Sequence, residues 1–254
     1  MTASTDPKTH IAMVLDRSGS MSSCKAATIE AVNSYFAKSR KEAEGAGFEM
    51  LIFDSEAIDT IRDCEMKDVA DLTSEDFVPR ASTPLYDAIG RAIDKLDGKL
   101  KADKSEKGVL VIVTDGMENA SRKHTHSTIS EMITAKQAAG WLVLFLGAGL
   151  DAAKQALAMG IRAESTANIG TDRVSLSATM SSVAVRSARY AMAPEAEAHF
   201  YAATQSFSAD ERQAMGDASA GAGLLNQLKG TPPPVARKKA AGDAYDTKPT
   251  DAWS

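Results

Sequence analysis

Short apolar runs alternate with amphipathic stretches along most of the chain. Residues 10–16 carry the run Ile11-Ala12-Met13-Val14-Leu15, the pattern of a strand buried on both faces. Residues 22–43 repeat apolar positions at helical spacing through Ala26, Ile29, Val32, Phe36 and Ala37, with Gly45 just past the end. Residues 48–53 and 57–63 read as two strands joined by Asp54-Ser55-Glu56, a hairpin that adds an antiparallel edge. Residues 66–79 are irregular or briefly helical. A helix is predicted over 85–96, a central strand over 109–115, a helix over 128–139 and a strand over 141–147. A short helix over 151–159, a brief last strand over 162–164 and a closing helix over 172–192 complete the series.

This alternation defines the fold class: α/β, with a doubly wound, mostly parallel central sheet, one antiparallel edge strand and helices on both faces. Pro194 interrupts the pattern. The domain organisation that follows is a polar N-terminal arm (1–8), the α/β domain (9–193), a helical C-terminal extension (194–228) and a disordered tail (229–254). The tail opens with Thr-Pro-Pro-Pro and holds few large apolar residues, too little to offset an ordering cost of about 1–2 kcal/mol per residue.

Composition narrows the function classes. Hydrophobic residues make up 44% of the 254, enough for a sheet covered on two faces, and the formal net charge of −5 argues against nucleic acid as the main partner. No run approaches the ~18 apolar residues of a membrane span. The N-terminus lacks the apolar region of a signal peptide, so a cytoplasmic location is expected. Two cysteines, Cys24 and Cys64, do not make a disulfide framework.

The candidate chemistry sits where predicted strands end. Asp16-Arg17-Ser18-Gly19-Ser20 follows the first strand and offers one carboxylate and two hydroxyls at i, i+2 and i+4. The central strand ends in Thr114-Asp115-Gly116. Thr83, followed by Pro84, is placed as the N-cap of the next helix. Carboxylate and hydroxyl oxygens are hard ligands that suit Mg²⁺, Mn²⁺ or Ca²⁺. Carboxyl ends of strands are also where open α/β sheets bind ligands.

Asp-x-Ser-x-Ser, then Thr-Pro, then strand-Thr-Asp-Gly, in that order, resembles the metal-ion-dependent adhesion site of von Willebrand factor A domains. The resemblance covers roughly residues 9–190, and all five motif positions are present: Asp16, Ser18, Ser20, Thr83 and Asp115. It implies Mg²⁺ (or Mn²⁺ or Ca²⁺) held by Ser18 and Ser20 directly, by Thr83 and Asp115 exchangeably, and by Asp16 as the anchor. It also implies a protein partner that supplies an Asp or Glu carboxylate to the open metal position. The Thr-Pro-Leu-Tyr-Asp and Thr-Asp-Gly-Met-Glu-Asn segments look like bacterial or phage-type intracellular members, whose partners include AAA+ ATPases and stress-response complexes. Arg17, with Arg122, Lys123, His124 and His126, forms either a basic collar around the site or a set of solvated loop charges.

The reading is therefore a metal-dependent protein-binding module without catalysis, acting in intracellular assembly or as an adaptor. The alternative is a Mg²⁺-dependent hydrolase or phosphotransferase using the same strand-end carboxylates. Against it stand the lack of a Gly-x-x-x-x-Gly-Lys-Ser/Thr loop and of an evident nucleophile–base pair. His124 and His126 have no third His or Cys at a spacing that would make a transition-metal site.

Overall fold

The computed structural model describes residues 8–217 apart from 104, 106 and 149. The disordered tail expected over 229–254, and nearly all of the expected arm, lie outside the described residues. Six strands form one sheet: β1 (His10–Asp16), β2 (Gly47–Phe53), β3 (Ile58–Glu65), β4 (Gly108–Thr114), β5 (Leu142–Ala148) and β6 (Thr166–Ile169), in the order β3-β2-β1-β4-β5-β6. Only β3 runs antiparallel, hydrogen-bonded to β2 with a bulge at Met50/Leu51. The doubly wound, mostly parallel architecture expected from the sequence is the one found.

Among the described residues seven α-helices accompany the sheet: α1 (Lys25–Glu42), α2 (Leu85–Asp103), α3 (His126–Ala138), α4 (Leu150–Ala158), α5 (Arg173–Met192), α6 (Glu195–Thr204) and α7 (Ala209–Ala214). Side chains alternate between the two faces of each strand, so the sheet sorts its apolar residues into two cores. Ile11, Met13 and Leu15 of β1 pack with Val32 and Phe36 of α1 and Met180 of α5. Ala12 and Val14 face the other way, toward Ile89 and Ile93 of α2 and Ile133 of α3. Both faces of the central strands are sealed, which is why their sequence reads as an unbroken apolar run.

Three elements differ from their expected positions, and one is the helix expected over 85–96, which runs on to Asp103. The last strand is not 162–164 but Thr166–Ile169, because residues 163–165 close a 3₁₀ turn first. The strand was hard to see because its buried Thr166 and Asn168 are polar. The first helix is entered through a 3₁₀ turn over Gly19–Cys24, so regular α-helix begins only at Lys25.

Residues 194–217 contribute Ala198, Ala202, Phe207 and Met215 to the same core as α1 and α5. Their polar attachment is dense. Arg186 of α5 makes a forked contact with Glu211 of α7 at 2.6 and 2.8 Å, and its guanidinium stacks 4.3 Å from the Phe207 ring. Arg212 donates to Thr166 O at 2.9 Å and to Asp217 at 2.8 Å. Gly170 N–H reaches Met215 O at 2.8 Å, and Asn168 N–H lies 3.4 Å from Asp217 Oδ2. Residues 212–217 thus run along the outer side of β6. Among the described residues no helix is long and apolar enough to cross a membrane, and Cys24 and Cys64 are free thiols.

The Arg186 guanidinium holds the Glu211 carboxyl well below the usual carboxylate range, helped by Ser182 and the Ser208 N–H. A depressed folded-state value means that this contribution to stability is in place at neutral pH. It is lost as pH falls through the range where an unfolded carboxylate protonates and then below it. Glu211→Gln is therefore expected to cost on the order of 2 kcal/mol at pH 7. It should also flatten the decline of melting temperature between pH 5 and pH 3; an unchanged acid limb would show that the pair contributes nothing to it.

Candidate metal centre

The two central strands deliver the carboxylates. β1 and β4 pair in register, Leu15 beside Val113, so Asp16 and the Thr114-Asp115 pair leave the sheet together at its carboxyl edge. Chain direction reverses here. β1 leads through α1 to β2 on one side, whereas β4 is reached through α2 and leads on to β5 on the other. A crevice at such a switch point is where this sheet architecture offers a ligand site.

Hydrogen bonds link four of the five motif residues. Asp16 is fully buried; its Oδ1 accepts the Ser18 N–H at 2.6 Å and its Oδ2 accepts the Thr114 hydroxyl at 2.6 Å. Ser18 Oγ lies 3.1 Å from Ser20 Oγ, and Ser20 donates to Asp115 Oδ1 at 2.6 Å. Thr83 arrives from the loop before α2. A Cβ placed on Gly116 would stand 2.9 Å from Thr83 Oγ1 and 3.5 Å from Asp16 Oδ2, so the absence of a side chain at 116 keeps that space open. The chain thus brings together all five residues singled out in its sequence.

Burial pushes the Asp16 carboxyl up to about 6, against the lowering effect of its Thr114 and Ser18 hydrogen bonds, and Asp115 nearby adds to the rise. Burial raises the Asp115 carboxyl as well. No basic group counters either carboxylate among the described residues. Two desolvated carboxylates and three hydroxyls form a donor set that fits a hard divalent cation. Among the described residues no three His, Cys, Asp or Glu side chains gather anywhere. A cation at this place would depend on hydroxyls as much as on carboxylates.

Two expectations about the surroundings are corrected. Thr83 does not cap α2: the first helical bond runs from Ala88 N–H to Pro84 O, and the free N–H groups of Tyr86 and Asp87 go to Glu118 Oε2 and Ser121 Oγ of the β4–α3 loop. A carboxylate from another loop supplies the favourable charge at the helix start, which no local spacing reveals. Nor does Arg17 belong to a basic collar. It is buried and turned inward, with Nε 2.6 Å from Asp54 Oδ2 and one Nη 3.0 Å from Asp59 Oδ2. Arg80 also binds Asp54 Oδ2, at 3.0 Å, and burial alone would raise a carboxyl that these bonds hold down. His124 is likewise committed: its ring lies against Gly90, where any Cβ would overlap it, and its Nδ1 is 3.3 Å from Asp87. Arg122 and Lys123 remain exposed.

The loops are tied to one another by backbone as well. Arg80 N–H donates to Arg17 O and Gly19 N–H to Ala81 O. Between them Ala81 adopts φ 57°, a left-handed conformation that costs a residue with a Cβ about 1 kcal/mol and persists only because its neighbours are fixed. Thr114, present in the sequence motif as the residue before Asp115 but given no role there, also belongs to the cluster, because the in-register pairing of β4 with β1 aims its hydroxyl at Asp16.

No family model matches the chain, and no curated protein sequence matches it. Solved structures do resemble it. The pilus adhesin SpaC from Lactobacillus rhamnosus GG superposes with a TM-score of 0.55 at 13% identity, over 74% of this chain and 31% of that one. Proximal thread matrix protein 1 from the mussel byssus gives 0.52 at 15% identity, over 70% and 48%. A von Willebrand factor type A protein from Catenulispora acidiphila gives 0.49 at 12% identity, over 71% and 43%. The chain spans less than half the length of each of these solved chains. At such identities the likeness is one of fold alone, a mostly parallel α/β sheet with helices on both faces.

Removing the Thr114 hydroxyl leaves buried Asp16 short of a donor. Thr114→Val is expected to lower stability in urea denaturation by about 1–3 kcal/mol, while Thr114→Ser, which keeps the donor, should cost much less. Equal losses in the two variants would assign the effect to packing instead.

Proposed function

We propose that this chain is a divalent-metal-dependent protein-binding module without enzymatic activity. The observation that carries the reading is the convergence of Asp16, Ser18, Ser20, Thr83 and Asp115 at the switch point, with one buried and one half-buried carboxylate and no basic partner for either among the described residues. Ser18, Ser20 and Thr83 would offer neutral oxygens, and Asp16 and Asp115 the charge. Mg²⁺ is the ion favoured, with Mn²⁺ or Ca²⁺ as substitutes, and when bound it supplies a Lewis-acidic position open to an outside carboxylate. The partner, on this reading, is a protein that presents an Asp or Glu side chain. An assembly or adaptor role beside an AAA+ ATPase or a stress-response complex belongs to the same proposal.

The geometry supports binding over catalysis through what the nearby side chains already do. His124 is held by Asp87, Arg17 by Asp54 and Asp59, and Ser20 by Asp115. Ser20 and Asp115 do bring a hydroxyl within reach of a carboxylate, but among the described residues no third side chain hydrogen-bonds Asp115 to orient it as a base, as a nucleophile–base–orienter set requires. Ser20 and Met117 are exposed at the mouth, so a protruding side chain has access.

Titration calorimetry with Mg²⁺ or Mn²⁺ is expected to show one site, abolished by Asp16→Ala without loss of the folded state. Affinity capture of a partner should succeed in Mg²⁺, fail in EDTA and fail for Asp16→Ala and Thr83→Ala. Capture that survives chelation would overturn the metal-bridged mode. Metal-dependent turnover of nucleotides or phosphoesters that vanishes with Asp115→Ala would establish the hydrolase or phosphotransferase alternative.

A further inference from the structure

After Asp115 the β4–α3 loop folds back onto the start of α2 rather than leaving the site. Thr83 and Asn119 exchange two hydrogen bonds: the Thr83 N–H donates to Asn119 Oδ1 at 2.8 Å, and the Asn119 N–H donates to Thr83 O at 3.1 Å. Next to it, the Glu118 carboxylate accepts four bonds, from the N–H groups of Tyr86, Ala120 and Ser121 and from the Ser121 hydroxyl, at 2.7–2.9 Å. The Glu118 N–H is itself held by Gln155 Oε1 of α4 at 2.9 Å. The loop behind Thr83 is therefore anchored to two helices.

Two contrasts single out Asn119. Thr83 is buried at 3% exposure, yet Asn119 is exposed and fills no core. Its carboxamide makes one described hydrogen bond, to the Thr83 backbone. With its backbone gripped on both polar atoms, Thr83 has little freedom to move its hydroxyl, which faces the space over Gly116 beside Asp16. Asp16, Ser18, Ser20 and Asp115 restrain one another directly, whereas Thr83 has no described hydrogen bond to any of them. Its orientation is set from behind.

We propose that Asn119 is a positioning residue for the metal centre, fixing the Thr83 backbone so that the Thr83 hydroxyl is presented to the ion rather than replaced by a water. This rests on the metal-binding reading above. It assigns a role to an exposed residue outside the five-residue motif. The role is transmitted through one neighbour, so it is measurable as a coupling. Outer partners that orient metal ligands typically change affinity by about 10–100-fold when removed.

The test uses Mn²⁺ as the probe on the full chain, with affinity from calorimetry and the number of ion-bound waters from water-proton relaxation. Asn119→Ala is expected to weaken Mn²⁺ about tenfold and to add about one bound water. In a Thr83→Ala background the same substitution should change affinity less than twofold, because its only route of action is gone. Asn119→Asp, which keeps an acceptor for the Thr83 N–H, should stay close to the unsubstituted protein and stands in if the alanine variant fails to melt cooperatively. An equal loss in the Thr83→Ala background, or unchanged affinity and hydration in Asn119→Ala, overturns the role of Asn119 while leaving the metal site standing. An unsubstituted chain that takes up no Mn²⁺ overturns the metal reading, and this role with it.

Discussion

The parallel pairing of β1 with β4 is the constraint on which the rest depends. Because the two strands run side by side in register, their carboxyl ends place Asp16 against Thr114 and next to Asp115. Two acidic groups in a desolvated place repel each other and lose hydration, a cost of several kcal/mol unless something answers their charge. Among the described residues no arginine or lysine answers it. The fold tempers it with hydroxyls, whose oxygens relay hydrogen bonds from Ser18 to Ser20 to Asp115.

Charge that would disturb this balance is directed elsewhere. Arg17 lies inside the loop between Asp16 and Ser18, yet its guanidinium turns under the sheet edge to Asp54 and Asp59. Asp54 in turn caps its own turn by accepting the Glu56 and Ala57 N–H groups. On the opposite side, Glu118 and Asp87 spend their carboxylates on backbone N–H groups of residues 120–124 and of α2. Each loop around the crevice is therefore fixed by an acidic residue with its own partners, whereas Asp16 and Asp115 accept one N–H and two hydroxyls and meet no cation among the described residues. Rigidity at the rim is what such a site requires to hold ligand geometry.

Much of this was legible in the sequence, for identifiable reasons. Strands sealed on both faces print as unbroken apolar runs, and four of the five motif residues lie within a few positions of strand ends while Thr83 precedes a helix, so both the sheet and the five candidate residues could be read locally. What could not be read locally was long-range. β6 hides in Thr166-Ala167-Asn168-Ile169 because two of its four buried side chains are polar, and the Asn168 N–H is met by Asp217, 49 residues further on. The cap of α2 comes from a loop over thirty residues away. Arg17 looked like a surface charge because its acidic partners sit on the next hairpin. In each case one half of an interaction is visible and the partner is supplied by topology.

The contacts along the outer side of β6 have a consequence for the chain outside its folded core. An edge strand with free backbone N–H and C=O groups is a template for another strand, and β6 would otherwise be one. Here the Thr166 carbonyl is occupied by Arg212, the Asn168 N–H by Asp217 and the Gly170 N–H by the Met215 carbonyl. The segment after α5 thus acts as a guard rail. It keeps the end of a parallel sheet from recruiting strands of other molecules, and the two buried arginines that bolt it down are as much a defence against self-association as a source of stability.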